Sequence, residues 1–411
     1  MPSVTLSGSG TQSPIALTFD TNANFVLAQQ IAAQINAGVS NGSIVTSTNT
    51  APPVASSVVG SYFQTQAVSG FLPAGYTSAA INVGNFGAAT LFDTSGATNQ
   101  AILSDQNTQL FFTASTGAGT VVAGGGGNRL VVSGTGNWSL NTGSGLANEI
   151  LATGSGNNTI SGGPGTNAIQ LGSGNDFVVS TGDDSITGGT GSETVDATAA
   201  RSDFVQGGSS DLFFVGGVGG ATILGGSGSD TYFGSAAGPT GSQYIVGGTG
   251  GNNLLWAGDG AATLQGGGSG DQLYAYGSSA QVLTAGIGNE TLSAAFSSGA
   301  DSLNAGAGTD QLAGGTGADT FVAGTGNATI AAGSGADVFE FINGQAGGTE
   351  VVKGLVTGGN FKIDLQGYDS DANAAALASQ TQSPAGVTIT LSDNTKITFD
   401  NVTSLHSNNF V

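Results

Sequence analysis

The spacing of hydrophobic residues changes character along this chain. Close to its start, Phe25, Ala28, Ile31, Ala32 and Ile35 recur three or four apart, which places them on one face of a helix. Thr21 or Asn22 is positioned to cap that helix, and Gly38 reads as its stop. The polar stretch 46–53 reads as a linker. Short strand-like runs follow at 79–83 and 89–92. From about residue 123 to 340 a glycine-rich turn recurs roughly every nine residues, each followed by a short apolar or β-branched run. Past residue 341 glycine thins out. Phe361-Lys362-Ile363-Asp364-Leu365 and Val387-Thr388-Ile389-Thr390-Leu391 alternate as strands do. Three regions are therefore predicted. Residues 1–107 hold a helix and lead into strands, 108–340 form a glycine-rich stack, and 341–411 close it.

Two nine-residue units fit the pattern G-G-x-G-x-D-x-U-x in full, with U a large apolar residue. They are Gly225-Gly226-Ser227-Gly228-Ser229-Asp230-Thr231-Tyr232-Phe233 and Gly314-Gly315-Thr316-Gly317-Ala318-Asp319-Thr320-Phe321-Val322. Units 305–313 (Asp310, Leu312), 332–340 (Asp337, Phe339) and 171–179 (Asp176, Val178) differ at the first glycine, and 188–196 keeps the frame with Glu193 for aspartate. These motifs resemble the RTX, or hemolysin-type calcium-binding, repeat family over roughly half the chain. Full nonapeptides recurring in phase make the resemblance specific, where a single one would be weak. It implies an all-β fold: a right-handed parallel β-roll or β-helix solenoid with a small α+β N-terminal region and a β-rich C-terminal cap.

Each position has a physical role in such a roll. The glycines permit a tight turn. The U side chain points inward and its neighbours outward. Two units make one coil, so each turn stacks on the turn two units later. The sixth-position carboxylate then faces the groove between turns, and two of them with nearby carbonyls form the oxygen cage that Ca²⁺ prefers. Asp301, Asp319 and Asp337 should form one column, and Glu290 should pair with Asp310. Further up, Asp176 should pair with Glu193, Asp184 with Asp203, and Asp211 with Asp230. Asn128, Asn158, Asn167 and Asn252 take the aspartate position elsewhere, and Ala221, Ala262 and Ala328 do so in other units. Several calcium sites are expected, not one per turn, and the stretch 257–285 is expected to be metal-free. Turn chemistry gives the same aspartates a second reading, which weighs most on those before residue 240.

Composition narrows the function. Of 411 residues, 74 are glycine, too many for a mainly helical protein, and the absence of a Gly-X-Y period excludes collagen. There are 26 acidic residues against five basic ones, Arg129, Arg201, Lys353, Lys362 and Lys396. That balance argues against nucleic acid and against anionic lipid, and suits hard cations. No cysteine is present, which removes thiolate catalysis and zinc–thiolate sites. No apolar run reaches a membrane span. The first twelve residues lack the basic and apolar segments of a secretory signal.

The only histidine is His406, and neither G-x-S-x-G nor H-E-x-x-H occurs, so no hydrolase set is legible. Arg201 with Asp203 is the one catalytic option on a parallel β-helix, against the plainer reading of Arg201 as a surface charge. The segments Ala336-Asp337-Val338-Phe339-Glu340-Phe341, Gly347-Gly348-Thr349-Glu350 and Lys362-Ile363-Asp364-Leu365-Gln366-Gly367-Tyr368 look like the end of many RTX proteins. That resemblance implies a C-terminal type I export signal. The ending Asn408-Asn409-Phe410-Val411 is similar to such signals, though an acidic residue is more usual there, and it also reads as a terminal strand. The expectation is a non-enzymatic, extracellular or cell-surface calcium protein. Open solenoid ends invite pairing unless capped, and contacts that do not close give filaments or layers. The alternative is an adhesin, or a protein that binds or degrades cell-surface polysaccharide.

Overall fold

The computed structural model describes residues 2–84, 87–125, 127–144, 147–235, 241–355 and 359–411. The chain divides after Ser210 into two compact units. Each unit is nearly all-β, and in each the long run of strands is a parallel solenoid.

In the unit ending at Ser210, parallel register stacks Tyr62, Ala79, Ile102, Val121, Leu140, Ile160, Val178 and Val195 in one sheet. The facing sheet stacks Leu91, Phe112, Leu130, Ile150, Ile169, Ile186 and Val205. All are buried, because period-two alternation sends every second side chain inward. From Leu130 onward these are the U positions of the repeat, and each buried aliphatic contributes about 1.5–3 kcal/mol. The ladder already begins at the strand Ile44–Thr48, well before the glycine-rich repeats. Part of the polar stretch 46–53 is thus a strand and not a linker.

The helix α1, Asn22–Ser40, is capped by Thr21, whose side chain accepts the Asn24 N–H at 3.2 Å. Gly38 is inside it and does not stop it. Its role is close packing, since a Cβ there would lie 2.5 Å from the Ile44 side chain. The helix ends at Asn41, and Gly42 supplies the positive φ of 80°. With the antiparallel pair Ser3–Leu6 and Ile15–Thr18, α1 forms a second layer. This layer covers Phe63, Ala80, Leu103 and Val122, an apolar row on the outer side of the first coils.

In the unit from Asp211, one inward row is Ile223, Ile245, Leu264, Leu283, Leu303, Phe321, Phe339 and Ile363. The other runs from Phe214 and Tyr232 through Leu255, Leu273, Leu292, Leu312, Ile330 and Val352 to Phe399. The last rung, Lys396–Asp400, pairs in parallel with Thr349–Lys353 and antiparallel with Gly386–Thr390, which in turn pairs with Thr381–Ser383. A short helix α2, Ala372–Ala378, follows the strand Lys362–Gln366. Phe410 bridges to Ile363, and the Val411 N–H donates to the Ile363 carbonyl at 3.0 Å. The apolar ending is therefore a packed terminal segment here. Among the described residues no helix is long and apolar enough to cross a membrane.

Candidate metal-binding columns

Each sixth-position residue sits at a coil corner, just ahead of a strand such as Ser302–Asn304 or Thr320–Val322. Its carbonyl enters the ladder: Thr320 N–H donates to Asp301 O at 2.8 Å, and Val338 N–H to Asp319 O at 2.9 Å. At Asp301 and Asp319 the N–H is taken by the side chain of the following coil. Asp319 Oδ1 accepts the Asp301 N–H at 3.0 Å, and Asp337 Oδ1 accepts the Asp319 N–H at 3.0 Å. The three aspartates thus form a single buried column. Glycine is obligatory beside it, since a Cβ on Gly317 would fall 1.6 Å from the Gly299 carbonyl oxygen.

The same arrangement recurs. Asp310 takes the Glu290 N–H at 3.0 Å, Asp203 the Asp184 N–H at 3.2 Å, and Asp176 the Asn158 N–H at 2.8 Å. Register places Asp176 beside Glu193 and Asp184 beside Asp203, with the single proton of Ser180 Oγ shared between both members of the second pair at 2.7 and 2.8 Å. Asp211 does not join Asp230. Register puts Asp230 beside Leu212, whose N–H it accepts at 2.8 Å. Asp211 is one position earlier, so strand alternation turns it outward, exposed, onto the Ser229 N–H.

Asparagine serves the same corner. Asn128, Asn158 and Asn167 occupy it as the repeat frame predicts, and Asn148 does so too. Asn252 does not: it has a φ of +55° in an exposed turn, and Asn253 fills the buried corner, accepting the Asp230 N–H at 2.7 Å. Asp271 accepts the Asn253 N–H at 2.8 Å, so an acidic corner lies inside the stretch 257–285. Its signal was present in Gly266-Gly267-Gly268-Ser269-Gly270-Asp271, where serine replaces the fourth-position glycine. In the facing sheet of that stretch Gln281 takes over, the two N–H groups of its amide shared among the carbonyls of Gly258, Gly260 and Tyr276 at 2.7, 2.8 and 2.8 Å.

The carboxylates are charged groups without counter-charges. Among the described residues the ion pairs are Arg129–Glu149 at 2.9 Å and Arg201–Asp183 at 3.1 Å, both largely exposed. Arg201 therefore engages Asp183 and not Asp203, which is buried. Burial raises Asp176, Asp184, Asp230, Asp301 and Asp337 above the ordinary carboxylate range. It pushes Asp203 to about 6, and Glu290, with Asp310 adding repulsion, to about 8. Oδ2 of Asp176, Asp203, Asp230 and Asp301, and both oxygens of Glu290, are buried without a hydrogen-bond partner. Unpaired buried anionic oxygens beside turn carbonyls are the donor set a hard cation takes. Among the described residues no cluster of three or more acidic, histidine or cysteine side chains occurs, so each ion would rest on a pair of carboxylates and on backbone oxygens.

The model of the RTX calcium-binding nonapeptide repeat matches residues 144–178, 179–201, 247–278, 284–321, 297–330 and 313–340. This chain carries RTX calcium-binding repeats. Such repeats imply a calcium-binding β-roll and are typical of exported proteins. No curated protein matches the chain. The matches cover the Asp176–Glu193 and Asp184 corners and the whole 301–337 column.

Proposed function

We propose that this RTX protein is a non-catalytic building block of an extracellular filament, matrix or surface layer, folded by calcium after export and joined to copies of itself. Calcium enters through linkage: an ion bound by the folded roll and not by the loose chain stabilises the roll. Where calcium is scarce the carboxylate columns repel, which favours export of an unfolded chain through a C-terminal signal.

One observation carries the self-association. On the outer side of the coils from Asp211 onward, register places Phe233, Trp256 and Tyr274 in one row. Trp256 stacks on Tyr274 at 4.7 Å and meets Phe296 at 5.5 Å, and Phe213 meets Phe233 at 6.0 Å. Phe296 is 58% exposed. A partly exposed aromatic face of this kind, with Phe213 and Phe296 exposed and Phe233, Trp256 and Tyr274 half-buried, fits a contact surface. The C-terminal edge of the ladder, in contrast, is continued by an antiparallel hairpin ending in the short strand Thr381–Ser383, a form that blunts edge pairing. Association through the aromatic face is therefore favoured over end-to-end stacking. Electron microscopy of the purified protein with calcium and with chelator tests this. Ordered assemblies in calcium are expected, lost on replacing Trp256 and Phe296 by serine. Dispersed monomers in both conditions would overturn it.

The same face gives the polysaccharide-binding reading its support, because aromatic rings also stack on sugars. Retention of the monomer on an immobilised polysaccharide, abolished by the same substitutions, would favour that reading instead.

A further inference from the structure

Glu350 lies past residue 340, where the last repeat match ends, on the strand Thr349–Lys353. Register sets it beside Ala328, and Ala328 beside Asp310. The acidic column of Asp271, Glu290 and Asp310 is thus interrupted by one alanine and resumed by Glu350. This carboxylate is 0% exposed, and neither oxygen has a hydrogen-bond partner. Burial favours its neutral form, the Ala328 amide nearby works the other way, and Asp310 adds repulsion. The chain's cations are engaged or exposed elsewhere: Lys362 Nζ donates to the Asn408 carbonyl, and Lys353 and Lys396 face solvent.

A fully buried, unpartnered carboxylate either keeps its proton or meets a cation. Alanine puts no side-chain oxygen at the intervening corner. Two rungs of about 4.8 Å separate the backbones at Asp310 and Glu350. Asp310 already accepts the Glu290 and Gly306 N–H groups, so the longer glutamate side chain and two calcium–oxygen distances of about 2.3–2.6 Å have to bridge that span to the free lone pairs of Asp310. We propose that Glu350 is a ligand of a further calcium ion, held between it and Asp310 over the Ala328 coil, and that this ion fastens the C-terminal cap. Glu350 pairs in register with Ile397 of the strand Lys396–Asp400, and Lys396 N–H donates to the Gly348 carbonyl at 3.1 Å. The ion would therefore fix the rung on which the closing hairpin is built. The inference rests on the reading that the repeats bind calcium.

Glu350→Gln separates the alternatives, because glutamine has the shape of a protonated glutamate but no charge. The full-length chain is dialysed to equilibrium with calcium, bound metal is counted, and hydrogen exchange is read peptide by peptide. The variant is expected to hold one ion fewer than the unmodified protein. Exchange in Thr349–Lys353 and Lys396–Asp400 should rise to the level seen in chelator while 301–322 stays protected. Equal ion counts with equal protection would show a neutral buried acid and overturn the proposal. A second variant, Glu350→Asp, keeps the charge and retracts it by one methylene. It should keep the ion count with at least tenfold weaker affinity for the last ion, and an unchanged titration overturns the proposal even where the glutamine variant fails to fold. Absence of any bound calcium in the unmodified protein would instead remove the reading on which this one rests.

Discussion

The coil corners at Asn128, Asn148 and Asn167 and those at Asp301, Asp319 and Asp337 share one backbone geometry and complete it differently. In both runs a side-chain oxygen accepts the N–H of the preceding coil's corner: 3.1 Å from Asn128 to Asn148, and 3.0 Å from Asp301 to Asp319. The asparagines also carry a donor. Asn128 Nδ2 reaches the Gly124 and Gly125 carbonyls at 3.2 Å, and Asn148 Nδ2 reaches Asn167 Oδ1 at 2.8 Å. An amide corner closes on itself. An aspartate corner has charge and no donor: its second oxygen either takes a turn N–H, as Asp319 Oδ2 takes that of Gly315, or is left buried and unpartnered, as at Asp301. The choice between two residues of equal shape thus decides which coils need a cation.

Chelation should expose this contrast with the largest effect. On removal of calcium, hydrogen exchange in Ser302–Asn304, Thr320–Val322 and Val338–Ile342 should accelerate toward that of an open chain. Arg129–Val132, Asn148–Ala152 and Asn167–Leu171 should stay protected. Equal loss in both sets would break the comparison.

A single corner gives a smaller effect of known sign. Asp319→Ala removes the acceptor of the Asp301 N–H and of the Gly315 N–H, which Asp319 Oδ2 takes at 2.8 Å. Stranding buried donors costs about 1–3 kcal/mol each, so this variant should be destabilised with or without calcium. Asp319→Asn keeps an acceptor oxygen and removes the charge. It should match or exceed the unmodified protein in chelator and fall below it in calcium, as read by denaturant midpoints. A variant weaker in both conditions would sink the charge argument.

Acidity probes the same charges together. Glu290 and Glu350 are held near 8 and Asp203 near 6, each first by burial. A carboxyl group whose folded value is raised binds its proton more tightly when folded, so it adds stability below its unfolded value of about 4. That contribution is lost as pH rises through the folded value. Metal-free protein should therefore lose stability steadily between about pH 4 and pH 8. Calcium-loaded protein should not, since the ion favours the charged form. A flat profile in chelator would show that these carboxylates have found partners.

Much of this was legible beforehand because two periods were strict. Alternation fixed the inward row, and the nine-residue frame put Asp301, Asp319 and Asp337 in one column. What escaped notice depended on insertions and on the third dimension. One extra residue moves the corner from Asn252 to Asn253, and the rung beside Leu212 turns Asp211 outward. Glu350 carries no repeat signature, since only register shows it beneath Ala328. The apolar row from Phe63 to Val122 drew no expectation from the sequence, and it is the seat of the α1 layer. Asp271 was missed for a chemical reason: serine at its fourth position broke the glycine pattern while the corner itself survived.

The smallest expected effect belongs to Gln281, where the middle coils replace the cation by an amide. Its Nε2 lies within 2.7–2.8 Å of three carbonyl oxygens, which share its two N–H groups, the arrangement of a cation site with nitrogen at its centre. Gln281→Glu turns that donor into an acceptor facing three other acceptors. In chelator the loss should be about 1–3 kcal/mol, from carbonyls left unpaired and an anion brought among them. This corresponds to about 2–4 °C in melting temperature per kcal/mol for a unit of this size. In calcium the same corner would offer a carboxylate and three carbonyls at one point, which is a hard-cation set. The deficit should shrink as calcium is added, while Gln281→Ala, with no charge to offer, should show a deficit that calcium does not change. Parallel calcium responses of the two variants would mean that corner shape, and not the sign of the group at its centre, decides where ions bind.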